Sequence, residues 1–161
     1  MLRSGRSTPK GYNMRSAARA IIIKDNSLLV THRNKFGMEY DILIGGGVDI
    51  GETLEQALYR ELKEESGVQV VNPRLVFIER AGDPYGTQYI FLCEYVSGEP
   101  ALSPDSQEYA ITSMGKNLYE PTWRALSELP NVVFRSERLK QAIIAGLKDG
   151  FPAEPLDITG N

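Results

Sequence analysis

The chain has 161 residues, 42% of them hydrophobic and 24% charged, with 21 acidic residues against 18 basic ones and a net charge of −3. These figures fit one soluble globular domain that folds without disulfide or metal staples. They exclude intrinsic disorder and a protein that holds nucleic acid by bulk positive charge, and the lone Cys93 excludes an internal disulfide.

Residues 1–14 read as a basic N-terminal arm, with Gly5, Pro9 and Gly11 among polar residues and no acid before Asp25. This start has no apolar h-region, and no run approaches the ~18 apolar residues that span a bilayer. The expectation is a cytoplasmic protein without a membrane partner. Ala17 to Lys24 is a β-branched run that predicts a strand, and Lys24-Asp25-Asn26-Ser27 a hairpin turn into a second strand, Ser27 to His32. A third strand is expected at Tyr40 to Ile44. Gly45-Gly46-Gly47 then breaks the pattern.

Thr53 to Ser66 predicts a helix. Thr53 and Gln56 have the spacing of a capping box, and Gly67 follows as a stop. Gln69 to Val71, Arg74 to Arg80 and Thr87 to Val96 read as strands, the last two joined around Gly82 to Gly86. Cys93 falls inside an apolar strand, as a buried residue. Residues 97–118 are polar, with Gly, Ser and Pro, and are expected to form a long loop, the kind that often carries function. A strand at Tyr119 to Ala125, a helix at Ser136 to Leu147 and a tail from Phe151 complete the chain. Strands and helices interleave, which predicts an α/β mixed sheet with helices on its faces. The expected division is an arm over 1–14, one domain over 15–150 and a tail over 151–161.

The predicted helix at 53–66 is unusual in where it puts its acids. At about 100° per residue, Glu61 and Glu65 lie about 40° apart on the stripe that carries Leu54 and Leu58, with Glu64 adjacent. A surface helix keeps carboxylates opposite its leucines. Like charges at i,i+4 cost roughly 0.2–0.5 kcal/mol even when exposed, and the negative end of the helix dipole adds to the repulsion. Arg60 cannot neutralise three glutamates alone. A hard divalent cation such as Mg²⁺ prefers such oxygens, and the glycines at 45–51 let backbone approach a ligand. Solvent with Arg60 and Lys63 is the alternative neutralising environment.

The stretch from Gly46 to Val68 resembles the Nudix box, G-x5-E-x7-R-E-U-x-E-E-x-G-U with U aliphatic. Gly46, Glu52, Arg60, Glu61, Leu62, Glu64, Glu65, Gly67 and Val68 match every fixed position. With each fixed residue at roughly 7% frequency, a chance match in this chain is on the order of one in ten million. The resemblance implies the Nudix fold, a mixed β-sheet sandwiched between α-helices. It implies metal-dependent hydrolysis of a pyrophosphate linkage in a nucleoside diphosphate-X compound, with water attacking phosphorus.

Carried over residue by residue, the resemblance makes Glu61, Glu64 and Glu65 ligands of Mg²⁺ or Mn²⁺. The Gly45 carbonyl becomes a further candidate ligand, and Arg60 and Glu52 become the pair that orients the ligating glutamates. A general base comes from a box glutamate or from a distant one, Glu108 or Glu120. Ile44 stands where a proline often precedes the glycines. Pro84 and Tyr85 occupy the places of two competing substrate signatures, for ADP-ribose and for diadenosine polyphosphates, and so select neither. Coenzyme A and NADH pyrophosphatase signatures are absent. The substrate-binding candidates are Arg33, Phe36, Tyr40 and Trp123, with Tyr89 as a further stacking residue. His32 reads as a structural histidine. The alternative function is a non-catalytic Nudix-fold nucleotide-binding regulator. The expected partner is a small nucleotide-type molecule rather than nucleic acid, although the basic arm leaves a capped-RNA substrate as a third reading. A homodimer is a candidate assembly.

Overall fold

The computed structural model describes residues 15–160, so the basic arm at 1–14 lies outside the described residues. Strand β1 (Ser16–Lys24) and β2 (Ser27–Lys35) meet at a two-residue turn, where Asp25 and Asn26 both adopt positive φ. That conformation matches the twist of a tight hairpin. The pairing is brief, with Ile23 opposite Leu28 and Lys24 opposite Ser27. Beyond it the strands part. β2 takes β3 (Met38–Leu43) on one side and β7 (Asn117–Ala125) on the other, both antiparallel. β1 instead pairs with β4 (Gly45–Gly47) and runs parallel to β6 (Thr87–Ser97). Strand β5 (Gln69–Arg80) continues the sheet antiparallel to β6, and β8 (Leu156–Asp157) lies parallel on its edge.

Two cores lie on opposite faces of this sheet. Helix α1 (Leu54–Glu65) buries Ala57, Leu58 and Leu62 against Ala18, Ala20 and Ile22 of β1 and Phe91 and Cys93 of β6. Helix α3 (Glu137–Asp149) buries Leu139 and Ile143 against Ile21, Leu28, Val30, Phe77 and Ile90. The period-2 alternation of β1 therefore feeds both cores, as expected of a strand buried on both faces. The mixed sheet between helices agrees with the fold class expected from the sequence. Thr53 caps α1 with the reciprocal Gln56 bond, and Gly67, at φ +70, closes it by donating to Leu62 O.

Three local expectations are corrected. The triple glycine forms a short strand against β1 rather than a simple break. A Cβ at Gly45 would sit 2.2 Å from Ala18 O, so only glycine lets the two backbones pair there. The expected loop at 97–118 contains helix α2 (Gln107–Ser113), capped by Ser106 and packed on β7. Its two capped turns have too few apolar residues to show a period. The segments 69–71 and 74–80 are one strand with irregular register, in which Asn72 takes positive φ. In the tail, Phe151 packs on Phe77, with ring centroids 6.0 Å apart, and beside Gly146. No helix among the described residues is long and apolar enough to cross a membrane.

Candidate active site

Where β1 leaves β2 for β4, the sheet opens and a cavity of about 550 Å³ forms. The glycine strand, Glu65 and Glu108 line it, as do Arg19, Arg33, Tyr40 and Ser136. Gln88 and Glu79 also line it, on the strands that follow β1 on the side away from the glycine strand.

The box helix presents its acids to the glycine strand. Glu61 is fully buried and Glu65 is 7% exposed. Gly45 N–H donates to Glu65 Oε1 at 3.1 Å. Gly46 leaves room for Glu61, since a Cβ there would lie 2.7 Å from the Glu61 carboxyl carbon. Arg60 ties the group together. It donates to Glu52 through Nε at 2.7 Å and Nη2 at 2.9 Å, and to Glu61 and Glu64 through Nη1 at 2.9 and 3.1 Å. It also donates to Gly47 O at 2.9 Å. Asp49 N–H in turn fixes Glu52 Oε1 at 2.8 Å. One guanidinium thus spans the loop and the helix, and these bonds, with Glu52 first, hold it charged.

Glu65 behaves differently. Burial, then the charges of Glu61 and Glu108, push its carboxyl well above the usual carboxylate range, against opposition from Arg19 and the Gly45 amide. An all-carboxylate donor set of this kind suits a hard divalent cation. The three glutamates are not drawn into a ready coordination sphere. Among the described residues no three His, Cys, Asp or Glu side chains are gathered closely enough to hold an ion. Like charges separate, with Glu61 and Glu64 turned to Arg60 and Glu65 to the Gly45 amide.

Of the two distant acids, Glu108 reaches the cavity from α2. It is 9% exposed, and its Oε1 has no hydrogen-bond partner among the described residues. Glu120 does not reach it. It stands opposite His32 on β7 and lines a separate cleft with His32 and Glu39. Arg33 and Tyr40 line the cavity, and the Arg33 guanidinium lies 3.6 Å from the Tyr119 ring centroid while donating to Asn117 Oδ1. Phe36 and Trp123 are not part of the cavity wall. Phe36 is 71% exposed at the β2–β3 turn, where positive φ directs it outward. Trp123, like Tyr89, packs against the core on the α1 side, and it meets Tyr95 edge to face at 5.6 Å. His32 donates or accepts at Asp41 and Glu39, 2.7 and 2.9 Å away, as a structural histidine does.

Residue reasoning on the sequence missed Arg19. It lies on β1 and donates to Gln88 Oε1 at 2.7 Å, Leu43 O at 3.0 Å and Gly45 O at 3.3 Å. Burial lowers its pKa, and Glu65 and Glu61 oppose the effect. A cation inside the β-branched run Ala17 to Lys24 was its signal. Glu79, Tyr119, Arg135 and Ser136 also line the cavity and had no sequence signal, because the topology alone gathers them.

Comparison with known proteins bears on the family and the fold. The family model described as NUDIX domain matches residues 14–138. Curated relatives include the NAD-capped RNA hydrolases NudC of Escherichia coli, 34% identical over 109 residues, and of Salmonella paratyphi C, 38% identical over 112 residues. Those matches cover 68% and 69% of this chain, which spans 38% of the length of each relative. Among solved structures, a MutT NUDIX hydrolase from Burkholderia pseudomallei is 26% identical, with a TM-score of 0.59 over 78% of this chain and 94% of that one. An ADP-ribose pyrophosphatase from Streptococcus suis shares the fold at 20% identity, with a TM-score of 0.63 over 89% and 98% of the two chains. With its box helix, glycine strand and sandwiched sheet in this arrangement, the chain belongs to the NUDIX domain family.

Proposed function

We propose that the chain hydrolyses the pyrophosphate linkage of a nucleoside diphosphate joined to a further group, with a divalent cation as cofactor. The observation that carries this reading is the burial of Glu61 and Glu65 against the glycine strand, with Glu65 lining a cavity that arginines also line. Glu61, Glu64 and Glu65 would hold the cation, with the Gly45 carbonyl as a further ligand. Mg²⁺ suits these oxygens, and Mn²⁺ takes the same ligand class. Once bound, such an ion offsets phosphate charge and lowers the pKa of the attacking water.

The chain's own residues do the rest. Arg60, anchored on Glu52, fixes Glu61 and Glu64 on the helix and the Gly47 carbonyl on the strand. Arg19 lines the same cavity, where it neutralises phosphate oxygens. Glu108 faces Glu65 with an acceptor oxygen to spare and takes the water's proton. Arg33, stacked on Tyr119, and Tyr40 form the substrate wall.

A substrate panel tests this. It includes ADP-ribose, nucleotide sugars, dinucleoside polyphosphates, nucleoside triphosphates and, because of the name of the curated relatives, NAD-capped RNA. The protein with Mg²⁺ or Mn²⁺ should cleave at least one class. Glu64→Gln should lower kcat by about a hundredfold or more, and Glu108→Gln by on the order of 10² to 10⁴ with KM little changed. Absence of cleavage across the panel with both cations would sink the reading.

A further inference from the structure

The end of the cavity away from the box helix contains a buried carboxylate that the hydrolytic reading does not use. Glu79 on β5 is 5% exposed and lines the cavity with Gln88 and Ser136. Its position relative to the glycine strand is fixed by a line of contacts. Arg19 donates to Gly45 O and to Gln88 Oε1, and Gln88 is the partner of Glu79 across β5 and β6. Glu79 is thus one guanidinium and one strand pairing away from the phosphate end.

Both Glu79 oxygens lie close to Ser136 Oγ, at 2.9 and 2.7 Å. A hydroxyl has one hydrogen to give, whereas a carboxylate has about four acceptor sites. The remaining charged contact is Arg138 at 3.5 Å, a half-exposed side chain. Acceptor capacity is therefore left over in a buried place, where unsatisfied polar groups are costly. Nearby walls offer a flat stacked pair and an aliphatic side chain. The Arg135 guanidinium lies 4.3 Å from the Tyr40 ring centroid, and Leu139 lines the same cavity.

A planar ligand that fits this end must present adjacent donors to an acceptor-only group. Guanine does so, with N1–H beside the N2 amino group on its base-pairing edge. Adenine and cytosine set a ring acceptor beside their amino group, and uracil flanks its one N–H with carbonyls, so each turns an acceptor lone pair toward the carboxylate. We infer that Glu79 is a specificity-determining residue that reads the base-pairing edge of guanine, in a nucleotide whose phosphates lie toward Arg19 and the box helix. The inference rests on the hydrolytic reading for the orientation of the nucleotide, and its test reads binding without turnover. Two adjacent donors also occur on a ribose diol, so the test separates base from sugar.

Isothermal titration calorimetry compares GMP, 2′-deoxy-GMP and AMP on the wild-type chain and on Glu79→Gln. GMP should bind tighter than AMP by on the order of tenfold or more, and 2′-deoxy-GMP should match GMP. Glu79→Gln should abolish the preference or turn it toward AMP, since a carboxamide offers the acceptor and donor that complement adenine. The wild-type comparison stands even where the variant fails to fold. Equal affinity for GMP and AMP, or no measurable binding of either, overturns the inference. So does a guanine preference that survives in Glu79→Gln. A fall of 2′-deoxy-GMP to the level of AMP overturns it in favour of the ribose. A guanine preference that Glu79→Gln abolishes, in a protein that cleaves nothing in the substrate panel, upholds the base reading at Glu79 while the hydrolytic reading fails, and with it the orientation of the phosphates.

Discussion

Single side chains decide the chemistry of the box. Arg60 makes bonds in at least four directions, to Glu52, Glu61, Glu64 and Gly47 O, and only a planar fork reaches them all. Arg60→Lys keeps the charge and loses the fork. It should lower kcat/KM by about 10- to 100-fold, measured by steady-state kinetics, with the melting temperature much less affected. Glu65 supplies a second prediction. Its raised carboxyl pKa means that the folded chain binds a proton more tightly than the unfolded chain, whose value is near 4.5. The proton-linked stability is present below about that pH and is lost as pH rises through the raised folded value. A cation that replaces the proton restores it. Added Mg²⁺ should therefore raise the melting temperature more at pH 8 than at pH 5. An equal shift at both pH values would separate Glu65 from the cation.

Elements place those side chains. Helix α1 carries an apolar half that fixes it to β1 and an acidic half that reaches the glycine strand, so one amphipathic stripe does both jobs. On the neighbouring strands a polar cluster holds β2, β3 and β7 together. Asp41 is fully buried and accepts from Arg124 Nε at 2.7 Å and Nη2 at 3.2 Å, with His32 Nδ1 at 2.7 Å. Burial lowers the His32 pKa, but the bonds to Glu39 and Asp41 outweigh it and raise the value overall. Asp41→Asn removes the shared counter-charge and should destabilise the fold by about 3 kcal/mol, read by chemical denaturation. The part of that loss that passes through His32 should be present below about pH 6.5 and fade as pH rises through its raised folded value.

At the scale of the whole molecule, the cavity exists because β1 pairs with β2 at only two positions and then crosses to β4 and β6. The two cores brace this split, and the tail closes the α3 side through Phe151. Phe151→Ala should cost about 1–3 kcal/mol, less than a fully buried phenylalanine because this one keeps some exposure. Thermal melting checks it, and an unchanged transition would show that the tail contributes nothing to the core. The box residues were readable in the sequence because they are local. Helical spacing alone puts Glu61 and Glu65 on the leucine stripe, and the capping box and Gly67 mark both ends of α1. Hairpin and strand periods likewise announced β1, β2, β6 and the two-layer cover. What lay beyond reach was everything set by contacts distant in the chain. Arg19 meets Gln88 across 69 residues, Ser136 meets Glu79 across 57, and Glu108 shares a cavity with Glu65 only because α2 packs on β7. Phe36 and Trp123 have ring chemistry suited to a nucleotide, but Phe36 is exposed on the β2–β3 turn and Trp123 packs against the α1-side core. Local sequence therefore determined the family and its acidic helix, since those depend on periodicity and caps within a few turns. Tertiary structure alone decided the cavity, the place of Arg19 in it and its second carboxylate, because loop closure brings those residues together and no local pattern records which strands will meet.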